Sequence, residues 1–134
     1  MTLLKILVID DEKDIHTLLK AVLGADDSLL VTYVLSGEEA LIEAPKFQPD
    51  LILLDFLMPK MTGLDTFQAL KSIPSLTQVP IVFFTASTDS EKIQTFLRMG
   101  AAGIIIKPFD PWTLSAEIQT ILKNYQETQN FKTG

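Results

Sequence analysis

The sequence predicts an α/β fold: a (βα)5 doubly wound, parallel five-stranded sheet with helices on both faces. Five short runs rich in Leu, Ile, Val and Phe recur along the 134 residues, at Leu3 to Ile9, Leu29 to Leu35, Leu51 to Leu54, Ile81 to Phe84 and Gly103 to Ile106. They are continuous rather than alternating, as strands covered on both faces read. Amphipathic helical patterns lie between them at intervals of roughly 20 to 30 residues, the spacing of parallel strands joined by right-handed crossovers. A hydrophobic content of 47% and a mean hydropathy of +0.27 fit a sheet with little surface in water. The length suits one domain, expected over residues 1–125, that buries roughly two-thirds of the surface of its unfolded chain. Residues 126–134 are expected to form a polar tail that frays.

Each helix has its own signals. Ile15, Leu18, Leu19, Val22 and Leu23 fall at i, i+3, i+4, i+7 and i+8, one face of a first helix that ends near Gly24. Ser36-x-x-Glu39 and Thr88-x-x-Glu91 have the capping-box pattern, and Thr62 can cap a helix carrying Leu64, Phe67 and Leu70. Asp110-Pro111 opens the last helix with proline at its first position, and Leu114, Ile118, Ile121, Leu122 and Tyr125 form its buried face. "KSIPSLTQVP", with Pro74 and Pro80, reads as the loop from the third helix to the fourth strand.

Charge and composition narrow the function classes. Eleven basic residues against 17 acidic give a net charge of -6, and Arg98 is the only arginine. Nucleic acid and anionic membrane are therefore poor partners. The absence of cysteine excludes disulfides, thiolate zinc sites and a cysteine nucleophile. In the opening "MTLLKILVIDDEKD" the apolar run is too short for a signal peptide and ends in four acids within five residues. No run approaches membrane-spanning length, and the expected location is cytoplasmic.

In an open parallel sheet, ligands bind outside the carboxyl ends of the strands. The first apolar run here ends in Asp10-Asp11, the third in Asp55, the fourth in Thr85 and the fifth in Lys107-Pro108. If those strands are neighbours, the side chains converge on one shallow pocket, with Asp55 the first residue past its apolar run. Clustered carboxylates repel, so either their pKa values rise or a cation enters to offset the charge. All-oxygen donors without His or Cys select a hard ion, and a small cluster completed by water suits Mg2+ or Mn2+ better than a calcium cage. Such an ion prepares the site for phosphate oxygens, which Thr85 can meet with a hydroxyl and Lys107 with an ammonium charge. Taken singly, each acid also reads as a helix cap or turn former, Thr85 as a strand-end polar residue and Lys107 as a solvated charge.

The chain resembles the receiver domain of bacterial two-component response regulators, of the single-domain kind found in chemotaxis. The resemblance covers residues 3 to about 125 and rests on "ILVIDDE", "DLILLDFLMPKMTG", "PIVFFTA" and "GAAGIIIKPF", in the family's order and spacing. It implies a flavodoxin-like sheet in the order 2-1-3-4-5. It also implies that Asp55 is phosphorylated by a histidine kinase or phosphotransfer protein, with Mg2+ as cofactor. Asp55, Asp11 and the Leu57 carbonyl would then be the direct metal ligands, and Asp10 would act through a water. Thr85 would bond a phosphoryl oxygen and Lys107 would pair with the phosphate, the Lys107-Pro108 peptide being cis. A signalling role without an enzyme activity of its own follows, in a monomer or weak dimer whose downstream protein target is not named by the resemblance.

The departures from the pattern are specific. Ile104 stands at the switch position, where the family usually carries Tyr or Phe, so a turning ring cannot report phosphorylation there. Leu57 and Ser87 stand two residues beyond the Asp and the Thr, where the family tunes access of water. Leu57 offers no polar group to orient a water, which predicts slow loss of phosphate. A phosphatase of the haloacid-dehalogenase type wants a second Asp at position 57, and a phosphate-independent flavodoxin-like scaffold is the other alternative. The first turn, "DDEKD", lacks the glycine of a nucleotide cradle. His16 is expected at a solvated or rim position, and Phe109 and Trp112 are expected to pack. Met58, Pro59 and Met61 shape the loop after Asp55.

Overall fold

The computed structural model of the protein describes residues 3–58, 60–86, 89–110 and 112–133. Five strands, β1 (Leu4–Ile9), β2 (Leu29–Val34), β3 (Leu51–Asp55), β4 (Ile81–Thr85) and β5 (Gly103–Ile106), alternate with α1 (Lys13–Leu23), α2 (Gly37–Phe47), α3 (Gly63–Lys71), α4 (Ser90–Arg98) and α5 (Leu114–Thr133). All strand pairs are parallel, in the order β2-β1-β3-β4-β5. The predicted fold class and strand order are both present.

Alternate residues of the central strands feed two cores. Ile6, Val8, Leu51, Leu53, Val82, Phe84 and Ile105 meet Leu19 and Leu23 of α1 and Leu114, Ile118 and Leu122 of α5. Leu7, Ile9, Ile52, Leu54, Ile81 and Phe83 meet the buried residues of α2, α3 and α4 on the other face. This two-sided burial is why β1, β3 and β4 show no polar alternation. No helix among the described residues is long and apolar enough to cross a membrane.

Several local expectations shift. In α1 the buried face is His16, Leu19 and Leu23, while Leu18 is 44% exposed. The helix is rotated by part of a turn from the face drawn through its aliphatic residues alone. His16 is therefore buried, with its ring 5.3 Å from that of Tyr33, and is not a rim residue. Ser36 caps α2 by accepting the Glu39 N–H, but the Glu39 carboxylate reaches the N–H of Leu35 instead of closing a capping box. Thr62 and Asp65 do form the reciprocal pair at α3. Asp89 caps α4, and the expected cap Thr88 lies outside the described residues, as do Pro59, Ser87 and Pro111.

The last helix starts at Leu114, three residues beyond the expected proline, and runs to Thr133, so that the polar stretch 126–133 is helical. No glycine or proline interrupts the chain between 112 and 133. Once the packed first turns fix the helix, propagation through polar residues needs no core.

Candidate functional site

Register brings the polar strand ends level. Ile9 is paired with Leu54, Asp55 with Phe84, and Thr85 with Ile106, so Asp10, Asp55, Thr85 and Lys107 emerge at one edge of the sheet. Asp55 and Thr85 are the last residues of their strands, one position further into the sheet than the sequence suggested, and they are 4% and 2% exposed. Asp55 is thus buried at the floor of the site.

Lys107 holds the carboxylates together. Its Nζ donates to Asp10 Oδ2 at 3.1 Å and lies 3.5 Å from Asp55 Oδ1 and 3.9 Å from Glu12 Oε1. The ammonium also stands 5.1 Å from the centre of the Phe84 ring. Asp10 Oδ1 accepts the Glu12 N–H at 2.9 Å, and Asp55 Oδ1 accepts the Leu57 N–H at 3.2 Å. The Lys107 N–H donates to the Thr85 carbonyl at 2.8 Å, and the Lys107-Pro108 peptide is cis.

Carboxylate oxygens of Asp10, Asp11, Glu12 and Asp55 all lie within 4.8 Å of one another. One lysine does not balance four acids. Burial pushes the Asp55 carboxyl up to about 7 and the neighbouring Asp10 adds to the rise, while Lys107 and the Leu57 N–H act the other way. For Lys107, burial acts to lower the pKa, but Asp10, Asp55 and Glu12 outweigh it and hold the ammonium above its ordinary value. A divalent ion with oxygen preference fits this set of hard donors and the excess negative charge.

Glycine is required in the turn that follows. A Cβ on Gly63 would stand 2.6 Å from the Asp55 carbonyl oxygen and 2.6 Å from Phe56 Cα, and the Gly63 N–H donates to the Phe56 carbonyl at 3.1 Å. The backbone of residues 55 and 56 therefore lies directly against the start of α3, where only glycine leaves room. Lys60 takes a left-handed φ of 62° in the same turn.

Leu57 stands at the rim, 72% exposed. Ile104 is half-buried against the core under α3 and α4. Glu12 joins the acidic cluster although the sequence reading named only the two aspartates before it, and its place directly after them was the available signal. Phe109 packs as expected, edge-on to Phe84 at 5.4 Å. Trp112 does not: it is 94% exposed. His16 takes no part in the site.

A family profile described as the response regulator receiver domain matches residues 6–119. The chain belongs to the receiver domain family of response regulators. Among curated relatives, a probable transcriptional regulator, ycf27, of Porphyridium aerugineum is 36% identical over 129 residues, covering 94% of this chain and 51% of that protein. The DNA-binding response regulator MtrA of Mycolicibacterium smegmatis is 33% identical, covering 92% of this chain and 52% of its own length. This receiver domain thus spans about half the length of the curated relatives it matches. Among solved structures, the chemotaxis protein CheY4 of Vibrio cholerae superposes with a TM-score of 0.83 at 32% identity, covering 90% of this chain and 99% of that one.

Proposed function

We propose that this receiver domain is a phosphorylation-controlled switch in which Asp55 accepts a phosphoryl group from a histidine kinase or phosphotransfer protein. The observation that carries this reading is the cluster of Asp10, Asp11, Glu12 and Asp55 closed on one side by Lys107. A carboxylate oxygen of Asp55 attacks phosphorus in line while the bond to the donor imidazole nitrogen breaks; the electron pair leaves with the ring, which takes up a proton. Lys107 shifts from Asp55 toward the phosphoryl oxygens, and the Thr85 hydroxyl donates to one of them. Asp10, Asp11, Asp55 and the Leu57 carbonyl are the groups we assign to Mg2+, whose charge would offset the carboxylates and the transferring group. Water later attacks phosphorus, restoring the carboxylate.

The acidic surface, with a net charge of -6, supports output through protein contacts or onward phosphotransfer in the cytoplasm rather than through nucleic acid binding by these residues. No external substrate is turned over in this scheme. Incubation with Mg2+ and acetyl phosphate should add one phosphoryl group, read by mass spectrometry, and Asp55→Ala should abolish it. An unmodified wild-type protein would overturn the assignment. The exposed apolar side chain of Leu57 supports a long-lived phosphoryl group, since nothing on it orients a water. Leu57→Asn should speed phosphate loss by roughly tenfold, below the roughly 10²–10⁴-fold of a positioned acid or base because an amide only orients the water; equal decay curves for the two proteins would count against the shielding role.

A further inference from the structure

Helix α4 is the most loosely anchored helix next to the site. Its one buried side chain among the described residues is Phe96, whose ring stands 4.5 Å from that of Phe56 and 4.9 Å from that of Phe83. Phe56 directly follows Asp55 in the chain, and its ring is also 5.9 Å from Phe83. The buried anchor of α4 therefore rests on Phe83 of β4 and on the residue next to the proposed phosphoacceptor.

We infer that Phe56 is the positioning residue that couples the state of Asp55 to α4 through Phe96, in place of an aromatic side chain at position 104. The inference rests on the phosphoacceptor reading of Asp55. Its physical basis is the way residues 55–57 are held. The Phe56 N–H makes the last rung toward β4 at a long 3.4 Å, to the Phe84 carbonyl, while its own carbonyl is tied to Gly63. The Leu57 N–H and the Lys107 ammonium both face the same oxygen, Asp55 Oδ1. Phosphorylation turns a carboxylate into an acyl phosphate and moves the negative charge outward onto phosphoryl oxygens. Those two donors then have a stronger acceptor beyond the carboxyl, and the turn that carries Phe56 must follow.

The ring has somewhere to go. A groove of about 400 Å3 runs between α3 and α4, and Phe56, Leu64, Phe96 and Met99 form its apolar lining. Packed aromatic contacts favour a few discrete arrangements over continuous deformation, so a small movement of Phe56 is passed to α4 as a repacking of Phe96. Ile104 packs against the same cluster and fills space there, but it has no ring to swing.

The test uses Mg2+ with beryllofluoride, which mimics the acyl phosphate, and reads amide chemical-shift changes at residues 90–98 of the full chain. In Phe56→Leu, beryllofluoride binding at Asp55 should stay within about threefold of wild type while the α4 response falls by more than about half. Phe56→Tyr, which keeps the ring, should retain the response, and Ile104→Val should leave it unchanged. Phe96→Leu reads the same contact from the α4 side and should lose the response to the same degree, which covers the case in which Phe56→Leu does not fold. A full α4 response in either leucine variant, or its loss in Ile104→Val, overturns the coupling role. Failure of the wild-type protein to respond at Asp55 overturns the phosphoacceptor reading and the inference with it, so the two failures are distinguishable.

Discussion

His16 carries a cost that the fold does not use. Its Nε2 is, among the described residues, the buried side-chain atom without a hydrogen-bond partner, and a buried polar atom left unmade costs about 1–3 kcal/mol. His16→Leu keeps the contact with Tyr33 and removes the orphan, so we expect a gain of about 1 kcal/mol in chemical denaturation with m unchanged. A loss of stability would show that the imidazole is satisfied in solution. Asp10, Asp11, Asp55, Thr85 and Lys107 were legible in the sequence because each is a polar residue ending an apolar run, and parallel register needs nothing further to gather them. His16 was not, because a buried face drawn through aliphatic residues passes over a histidine on the same side of the helix. Phe56 and Phe96 were not either: their contact joins residues 40 positions apart in sequence, and no local period encodes it.

Helix α2 contains Pro45, three residues before its left-handed C-cap at Gln48. Proline there has no N–H for the Leu41 carbonyl, and in a regular helix a proline ring also clashes with the carbonyl four residues back, a defect of about 3 kcal/mol. Part of that is already relaxed near the helix end, and proline also limits the unfolded chain. Pro45→Ala should therefore raise the unfolding free energy by about 1 kcal/mol in chemical denaturation; no gain would mean that the C-terminal turn of α2 has adapted fully to proline. Element identity and order were readable from periodicity, whereas element ends were not. Strands β3 and β4 gained Asp55 and Thr85 because backbone pairing continues as long as a neighbour is present, whatever the side chain. The start of α5 moved to Leu114, where the apolar face begins, and its end moved outward because helices propagate more easily than they nucleate.

Across the whole molecule, the raised Asp55 pKa links stability to pH. From its ordinary value of 3.8 up to about 7, the folded protein holds a proton that the unfolded chain has released, so the contribution of Asp55 to stability falls as pH rises through that window. In metal-free buffer, Asp55→Asn should exceed the wild type by on the order of 2 kcal/mol near pH 8, allowing for solvent screening, with the gap closing toward about pH 4. Urea unfolding across that range checks the sign. Mg2+ should raise the wild-type midpoint more near pH 8 than near pH 5, because it must displace a proton at the lower pH, and should do less for Asp55→Asn. Equal Mg2+ effects at both pH values would separate the metal from Asp55.

The exposed Trp112 also gives the protein an optical handle. It is the sole tryptophan in the chain, and at 94% exposure its indole is almost fully hydrated. Its emission should be red-shifted and open to collisional quenchers in the free protein. Any binding partner whose footprint reaches the start of α5 would dry that ring, moving the emission to the blue and shielding it, without a label being attached anywhere on the molecule.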